Sequence, residues 1–314
     1  MLNSQRIFVQ AIKTYCAEHH IAVDVRADGW LIVMQDGTQR KLAFAYDLGL
    51  NSAVAHRIAN DKAATSDVLT LSGIACVPHT LFLNPELHAF VPPRGAWEAM
   101  LALLQQSPDG VVVKPNEGTS GKSVFWVKTK PALELAVKRI FSAQTALVVS
   151  PYMPIAEEVR VVVLDGRPLV VYAKDRPAVT GDGERSLLAL ALESVPPARR
   201  AGVLGGMFAD LDNAALDAIV PAGERRVLNW RHNLENGAEP VLLPEGETRE
   251  SCVALAARAA EAIGIRFASV DVVRVDGSWQ VLEVNSGVMM EALSSKQPAL
   301  VQATYSAALC ELFK

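Results

Sequence analysis

The sequence predicts an α+β protein built on antiparallel sheets, and three patterns lead to that reading. Helical stretches alternate with pairs of strand-like runs rather than with single strands. Two of those pairs turn at Asp-Gly dipeptides, Asp165-Gly166 and Asp276-Gly277, as tight hairpins do. A third pair lies in Val111–Val127, VVVKPNEGTSGKSVFWV, where two apolar strands flank a Gly/Ser/Thr loop.

Residues 4–19 read as a helix. Ala22–Arg26, Trp30–Gln35 and Lys41–Ala45 read as short strands, with Asp28-Gly29 and Asp36-Gly37 as turns. Ala53–Leu71 reads as one helix ending at Ser72-Gly73. Ile74–Leu83 is extended, because Pro78 interrupts any helix. Pro92-Pro93 marks a boundary between units. Ala96–Gln106 is helical, and Pro131–Ala143 is a helix with proline at its start. Ala146–Ser150 is a strand; Glu158–Leu164 and Pro168–Lys174 form a strand pair. Ser186–Glu193 is helical, 196–225 is alanine-rich with glycine breaks, and Glu224–Asn233 is strand-like. Glu247–Ile263 is a long helix capped by Gly264. Ala268–Val275 and Trp279–Val284 make a hairpin, and Pro298–Phe313 closes the chain as a helix. Domains are expected at 1–90, 91–152 and 153–314.

The 314 residues, 50% hydrophobic and 20% charged, suffice for two or three packed units with a sizeable core. A net charge of −4 without a basic run argues against a nucleic-acid partner. The N-terminus lacks the apolar core of a signal peptide, and no apolar run reaches membrane-spanning length. A cytoplasmic protein is expected, with no membrane partner. Cys16, Cys76, Cys252 and Cys310 are scattered and read as reduced, structural thiols. The six histidines form no HxxxH-type pair, so a zinc site is not expected.

The loop in Val111–Val127 carries the strongest chemical signal. Gly118, Thr119, Ser120 and Gly121 offer backbone N–H groups between two ammonium groups, Lys114 and Lys122, which suits a polyphosphate. Gly121-Lys122-Ser123 has the letters of a Walker A loop. That motif needs a glycine five residues before Gly121, where Asn116 stands, and a helix directly after the lysine. Ser123–Val127 reads as a strand instead. Strand, glycine loop, strand describes a lid over a nucleotide, with Lys114 as the main phosphate lysine and Lys122 as a secondary contact.

The second signal is residues 267–286, FASVDVVRVDGSWQVLEVNS. Asp271, Glu283 and Asn285 interrupt otherwise apolar strands, and Glu283 and Asn285 share a face. A three-residue loop, Asp276-Gly277-Ser278, would pair Val275 with Trp279 and set Asp271 opposite Glu283. A two-residue loop would put them on opposite faces. The three-residue register is therefore expected. Two carboxylates and an amide oxygen on one face suit Mg²⁺ bridging a triphosphate. Other residues support this reading as a group, although each alone is compatible with a solvated surface. Glu158 and Arg160 share a strand face and follow a hinge-like segment, Ser150–Pro154. Hinge backbone at Tyr152 and Met153 suits an adenine edge, and Glu158 suits ribose hydroxyls. Lys174 ends the partner strand within reach of a phosphate. Arg231 and Asn233 form an i, i+2 pair suited to an oxyanion or carboxylate.

In this order the motifs resemble the ATP-grasp superfamily, most closely its cyanophycin synthetase and ribosomal-protein glutamate ligase branch. The resemblance runs from about residue 48 to 295. It is carried by NDKAATSDVLTLSGIACVPHT, VVVKPNEGTSGKSV, EEVRVVVLDGRPLVVYAKD with its later GDG turn, RHNLENGA, and SVDVV with VLEVNSG. It implies two α+β subdomains gripping ATP between antiparallel sheets, plus a small N-terminal α/β unit. It implies ATP with two Mg²⁺ ions, Mn²⁺ being a substitute, and small carboxylate and amine substrates, commonly in a homodimer. Lys62 and Lys114 would contact phosphates, Glu158 ribose, and Lys174 a phosphate or the adenine side. Arg231 would stabilise an acyl phosphate, Arg160 would hold substrate or phosphate, and Asp271, Glu283 and Asn285 would bind the metal. The sequence departs from the family after Asn285, where Ser286-Gly287-Val288-Met289-Met290 replaces the usual Ser-x-Pro-Gly ending, and at the hinge, where Ser150 replaces an acidic residue. The implied activity is an ADP-forming carboxylate–amine ligase. A carboxylate–thiol ligase and an ATP-binding regulator without ligase activity are the alternatives.

Overall fold

The computed structural model describes residues 6–84, 97–118, 121 and 123–314, so the expected Pro92-Pro93 boundary lies outside the described residues. Two compact units are present. The first joins residues 1–171 to 244–314, and the second is residues 172–243.

The first unit starts with α1 (Ile7–Glu18), whose apolar stripe of Phe8, Val9, Ile12 and Cys16 is fully buried. It leads into an antiparallel meander of β1 (Ala22–Arg26), β2 (Leu31–Asp36) and β3 (Gln39–Phe44). The single helix expected over Ala53–Leu71 is in fact two, α2 (Ala53–Asn60) and α3 (Lys62–Leu71). The break is at Asp61, which is extended at φ −101°, ψ 112° and forms a backbone bridge to Glu117. Its carboxylate caps α3 by accepting from Ala64 N at 2.7 Å. A tertiary partner thus overrides a helix-compatible sequence, and Lys62 becomes the first residue of a new helix.

Next come β4 (Thr80–Leu83), α4 (Trp97–Gln106), β5 (Val111–Pro115), β6 (Phe125–Val127), α5 (Lys130–Phe141) and β7 (Ala146–Pro151). The strands form an antiparallel sheet in the order β4-β7-β5-β6. Strand alternation sends Phe82, Val111, Val113, Leu147 and Val149 into a core with Leu133 and Ile140 of α5 and Met100 of α4. Full burial of such side chains contributes about 1.5–3 kcal/mol each. The opposite face carries Val112, Lys114, Val148 and Ser150, and there the candidate site forms.

The chain continues through β8 (Glu157–Leu164) into β9 (Arg167–Asp175), whose far end enters the second unit. That unit contains β10 (Ala178–Thr180), α6 (Leu187–Ser194), α7 (Pro197–Met207), α8 (Asn213–Asp217), β11 (Arg225–Val227) and β12 (Glu239–Leu242). Its core is Val179, Leu187, Leu190, Ala191, Val203, Met207, Val220 and Leu228. Strand β10 pairs with β11, and the end of β9 pairs with β12. At Gly181 a Cβ would collide with the Pro221 and Val220 carbonyls, so the GDG turn needs glycine there. The strand expected over Glu224–Asn233 stops at Val227. Asn229 and Asn233 divert the chain: the Asn229 amide donates to Gly206 O at 2.7 Å, and Asn233 Oδ1 caps a 3-10 turn by accepting from Glu235 N at 2.8 Å.

The first unit resumes with α9 (Glu247–Ile263), closed by Gly264 at φ 71°. It ends with β13 (Phe267–Val275), β14 (Ser278–Asn285), α10 (Glu291–Ser294) and α11 (Pro298–Phe313). Strand β13 lies between β8 and β14. The β13–β14 turn corrects the expectation, because Val275 pairs with Ser278 across a two-residue loop. A β-bulge between Asp271 and Val272 restores the site: Val272 faces Val281, Asp271 faces Glu283, and Leu282 is the extra residue. The expected opposition of Asp271 and Glu283 therefore holds, by a different route.

Candidate functional site

The site is assembled within the first unit. The start of the glycine loop is pinned by Asn116, which is 3% exposed. Its Oδ1 accepts from Ala63 N at 3.1 Å, and its Nδ2 donates to Asp61 Oδ2 at 2.6 Å. Its backbone oxygen accepts from Lys62 N at 3.2 Å. The residue that disqualified a Walker A loop is thus the clamp that ties the loop to the N-terminus of α3. Neither periodicity nor motif spacing revealed it, since its partners are more than fifty residues away.

Lys62 Nζ donates to Gly118 O at 3.1 Å and sits over the loop. A cavity opens beside it, walled by Asn60, Lys62, Glu117, Gly118, Glu283 and Asn285. Lys114, 8% exposed, rises from the face of the β4-β7-β5-β6 sheet opposite its core. Burial pushes its ammonium down to about 8; the Glu283 and Glu158 carboxylates oppose that shift, and Lys62 adds to it. Two lysines and two carboxylates therefore share one electrostatic environment. Gly118 and Gly121 both have positive φ, 145° and 65°, which L-residues with a Cβ rarely adopt. Thr119, Ser120 and Lys122 lie outside the described residues.

On the facing hairpin, Glu283 and Asn285 are adjacent on one side, with Asn285 Nδ2 donating to Glu283 Oε1 at 3.3 Å. Carboxylate and amide oxygens at the cavity wall fit a hard divalent cation. Asp271 is fully buried, and both its oxygens accept from Arg160, from Nε and Nη2 at 2.7 Å each. Arg160 stands opposite Asp271 across β8 and β13. Among the described residues no group of three His, Cys, Asp or Glu converges on a metal position. Glu283 and Asn285 fit the ion; Asp271 is held by Arg160.

Glu158 is buried one strand away, opposite Val273. At the hinge, Tyr152 N donates to Gly110 O at 2.9 Å, and Ile155 N donates to Met153 O at 2.9 Å. The Tyr152 ring stacks on Trp126, centroids 4.0 Å apart, and Met153 packs against Val77, Val273 and Val275.

Lys174 and Arg231 belong to the second unit. Lys174 is 6% exposed, and its carbonyl oxygen lies 2.7 Å from His232 Nδ1. Arg231 donates to Asp210 at 2.7 Å, and its guanidinium lies 4.5 Å from the Trp230 ring centroid. The i, i+2 pairing of Arg231 with Asn233 on a strand is not formed, because Asn233 has become a turn cap.

One further cluster escaped sequence reasoning. His56 Nδ1 lies 3.0 Å from both Ser286 Oγ and Asp47 Oδ2, and His56 Nε2 lies 3.0 Å from Asn60 Nδ2. Serine and aspartate share one ring nitrogen, so the imidazole cannot pass a proton from one to the other as a triad requires. The cluster ties α2 to the end of β14 beside Asn285.

Residues 95–194 match the model of the family "prokaryotic glutathione synthetase, ATP-grasp domain", well under half the chain. Among solved structures, a bifunctional glutathione synthetase from Pasteurella multocida aligns with TM-score 0.58 and 17% identity, over 98% of this chain and 45% of that one. The chain thus spans less than half the length of that enzyme. A D-alanine–D-alanine ligase from Bacillus anthracis aligns with TM-score 0.55 and 18% identity, over 84% of this chain and 69% of that one. The same ligase complexed with ATP aligns with TM-score 0.51, over 84% and 67%. No curated protein sequence matches. The α+β fold with antiparallel sheets is that of ATP-grasp ligase structures.

Proposed function

We propose that the chain is an ATP-dependent, ADP-forming carboxylate–amine ligase acting on amino-acid or peptide substrates, in the cyanophycin synthetase and glutamate ligase branch. The observation that carries this is Lys114: a buried ammonium sharing its surroundings with Lys62, Glu158 and Glu283, of which Lys62 and Glu283 also wall the cavity at Gly118. Burying a lysine is costly unless a partner is expected. A triphosphate with a divalent ion matches such a mixed-sign site.

In this reading Lys62 and Lys114 draw charge from the phosphate oxygens, and Glu158 takes the ribose hydroxyls. Glu283 and Asn285 would hold magnesium, which would supply positive charge at the transferring phosphoryl group; Asp271 would join them only by releasing Arg160. A substrate carboxylate oxygen attacks the γ-phosphorus, and the bond to ADP breaks. The amine then attacks the acyl carbon, and phosphate leaves with the carboxylate oxygen. The glycine loop, Thr119 and Ser120 included, excludes the water that would hydrolyse the acyl phosphate. Arg231 meets the developing oxyanion, and Lys174 and Arg160 serve phosphate and substrate. Tyr152 and Met153 flank the adenine side. Domains at 1–90, 91–152 and 153–314, a dimeric assembly and a cytoplasmic setting belong to the same proposal. Among the described residues no helix is long and apolar enough to cross a membrane.

The test incubates the protein with ATP, Mg²⁺ and pooled amino acids, following phosphate release and product mass. Amine-dependent ADP release with a mass gain of one amide bond is expected. ATP binding without stimulation by any carboxylate or amine defeats the ligase reading.

A further inference from the structure

The segment after Asn285 is held in place from outside. Ser286-Gly287-Val288-Met289-Met290 forms no helix or strand, and it contains no proline to fix its backbone. Side chains from other parts of the first unit tether it instead. Ser286 Oγ lies 3.0 Å from His56 Nδ1, Tyr305 of α11 donates to Val288 O at 2.8 Å, and Tyr46 donates to Glu291 Oε1 at 2.7 Å. Of these tethers, the one from His56 grips the residue directly bonded to Asn285.

The donors and acceptors around His56 can be assigned throughout. Asp47 is anchored by Gly49 N, which donates to its Oδ1 at 2.8 Å, and its Oδ2 lies 3.0 Å from His56 Nδ1. A carboxylate only accepts, so Nδ1 carries the proton and shares it between Asp47 and Ser286. Ser286 Oγ sends its own proton to Asn60 Oδ1 at 3.3 Å. Asn60 Nδ2 then faces His56 Nε2 at 3.0 Å, and the imidazole accepts there. His56, Ser286 and Asn60 thus close a ring of hydrogen bonds that runs in one direction. Asp47 sets that direction by excluding the other tautomer.

The ring borders the candidate cation site. Asn60 ends α2 and walls the same cavity as Glu283 and Asn285. Ser286 is 1% exposed and shares a planar peptide unit with Asn285. An amide oxygen serves magnesium only if it stays in place, because that ion demands near-ideal octahedral geometry. Holding Ser286 restrains the backbone from which the Asn285 amide projects. Core packing does not account for His56, since its side chain is 38% exposed and α2 is already capped by Ser52.

We propose that His56, oriented by Asp47, is a positioning residue for the cation site: it holds Ser286 so that the Asn285 amide keeps its place beside Glu283. This rests on the reading of Glu283 and Asn285 as magnesium ligands and adds the group that aligns them.

The test measures ATP affinity by titration calorimetry, with saturating Mg²⁺ and again with EDTA, on wild type, His56→Ala, His56→Asn, His56→Gln and Ser286→Ala. Wild type is expected to bind Mg-ATP more tightly than metal-free ATP. His56→Ala should weaken Mg-ATP by about ten-fold, the lower end of what the partners of metal ligands contribute, and leave metal-free ATP unchanged. The side-chain nitrogen of His56→Asn falls where Nδ1 stands, so this variant should keep most of the preference for Mg-ATP. His56→Gln reaches only the Nε2 position and should behave like His56→Ala. Ser286→Ala leaves α2 intact and should show the same selective loss, which decides the matter if His56→Ala folds poorly. Equal losses with and without Mg²⁺ would make His56 a structural tie and overturn the proposal. So would unchanged Mg-ATP affinity in His56→Ala or Ser286→Ala, or rescue by His56→Gln and not by His56→Asn. In each of these cases a wild-type preference for Mg-ATP leaves the metal reading standing. A wild type indifferent to Mg²⁺ overturns both.

Discussion

Lys114 places function against stability at a single side chain. Its folded-state pKa near 8 lies below the ordinary lysine value of 10.5, because burial disfavours the ammonium. The sign follows: below pH 8 the charged form is carried into the fold at a cost, and that cost is relieved as pH rises from 8 toward 10.5. Lys114→Met should stabilise the nucleotide-free protein at pH 7 by up to about 3 kcal/mol at 1.36 kcal/mol per pKa unit, read as a raised melting temperature. The same variant should lose nucleotide affinity. In wild type, affinity should fall above pH 8, and binding at pH 9 should take up a proton, measured by calorimetry in buffers of different ionisation enthalpy; an unchanged affinity from pH 7 to 9.5 contradicts this. Glu283→Gln keeps the size but replaces the carboxylate with a neutral amide that offers a cation one uncharged oxygen. It should cut turnover at least about a hundred-fold, the scale on which a lost metal contact acts. Turnover equal to wild type would remove Glu283 from the metal assignment. At this scale the sequence exposed the residues whose chemistry is unusual for their setting, such as Lys114 and Glu283 in apolar strands. It hid Asn116, whose amide is ordinary in a loop and matters only through Asp61 and Ala63.

Elements were legible where their cause is local. Glycine at the end of α9 and proline at the start of α11 set those boundaries from within the helix, and both were readable. Asp61 was not, because its reason for leaving the helix is Glu117 and Asn116. Asp61→Ala removes the α3 cap, which is worth about 1 kcal/mol. It also frees Asn116, so thermal melts should show a loss larger than the cap alone, with weakened nucleotide binding through a displaced Lys62. A loss confined to cap size, with binding intact, would reduce Asp61 to a local device. The β13–β14 hairpin taught the opposite lesson. The sequence puts one residue too many in the turn and gives no sign of the bulge at Leu282, yet the two errors cancel at Asp271. Deleting Leu282 should leave Val272 opposite Val281 and Asp271 opposite Glu283 in a regular ladder, and part of the turnover should survive. Deleting Val281 and Leu282 together should set Asp271 opposite Val284 and abolish turnover.

At the scale of the whole molecule, the alternation of helices with hairpins predicted antiparallel sheets correctly. The division into units was less legible, because the first unit is discontinuous in sequence. Composition cannot show that residues 244–314 return to the unit begun by residues 1–171. Arg160 and Asp271 embody that return, since their ion pair joins residues 111 apart across β8 and β13. The consequence is temporal. On the ribosome, β8 is synthesised long before the strand that covers it, and the entire second unit emerges in between. Arg160 must wait, its guanidinium lacking the carboxylate it will hold, while residues 172–243 are synthesised. Nascent chains arrested after Leu243 should therefore present a protease-resistant second unit and a cleavable β8. Chains released beyond Asn285 should protect both.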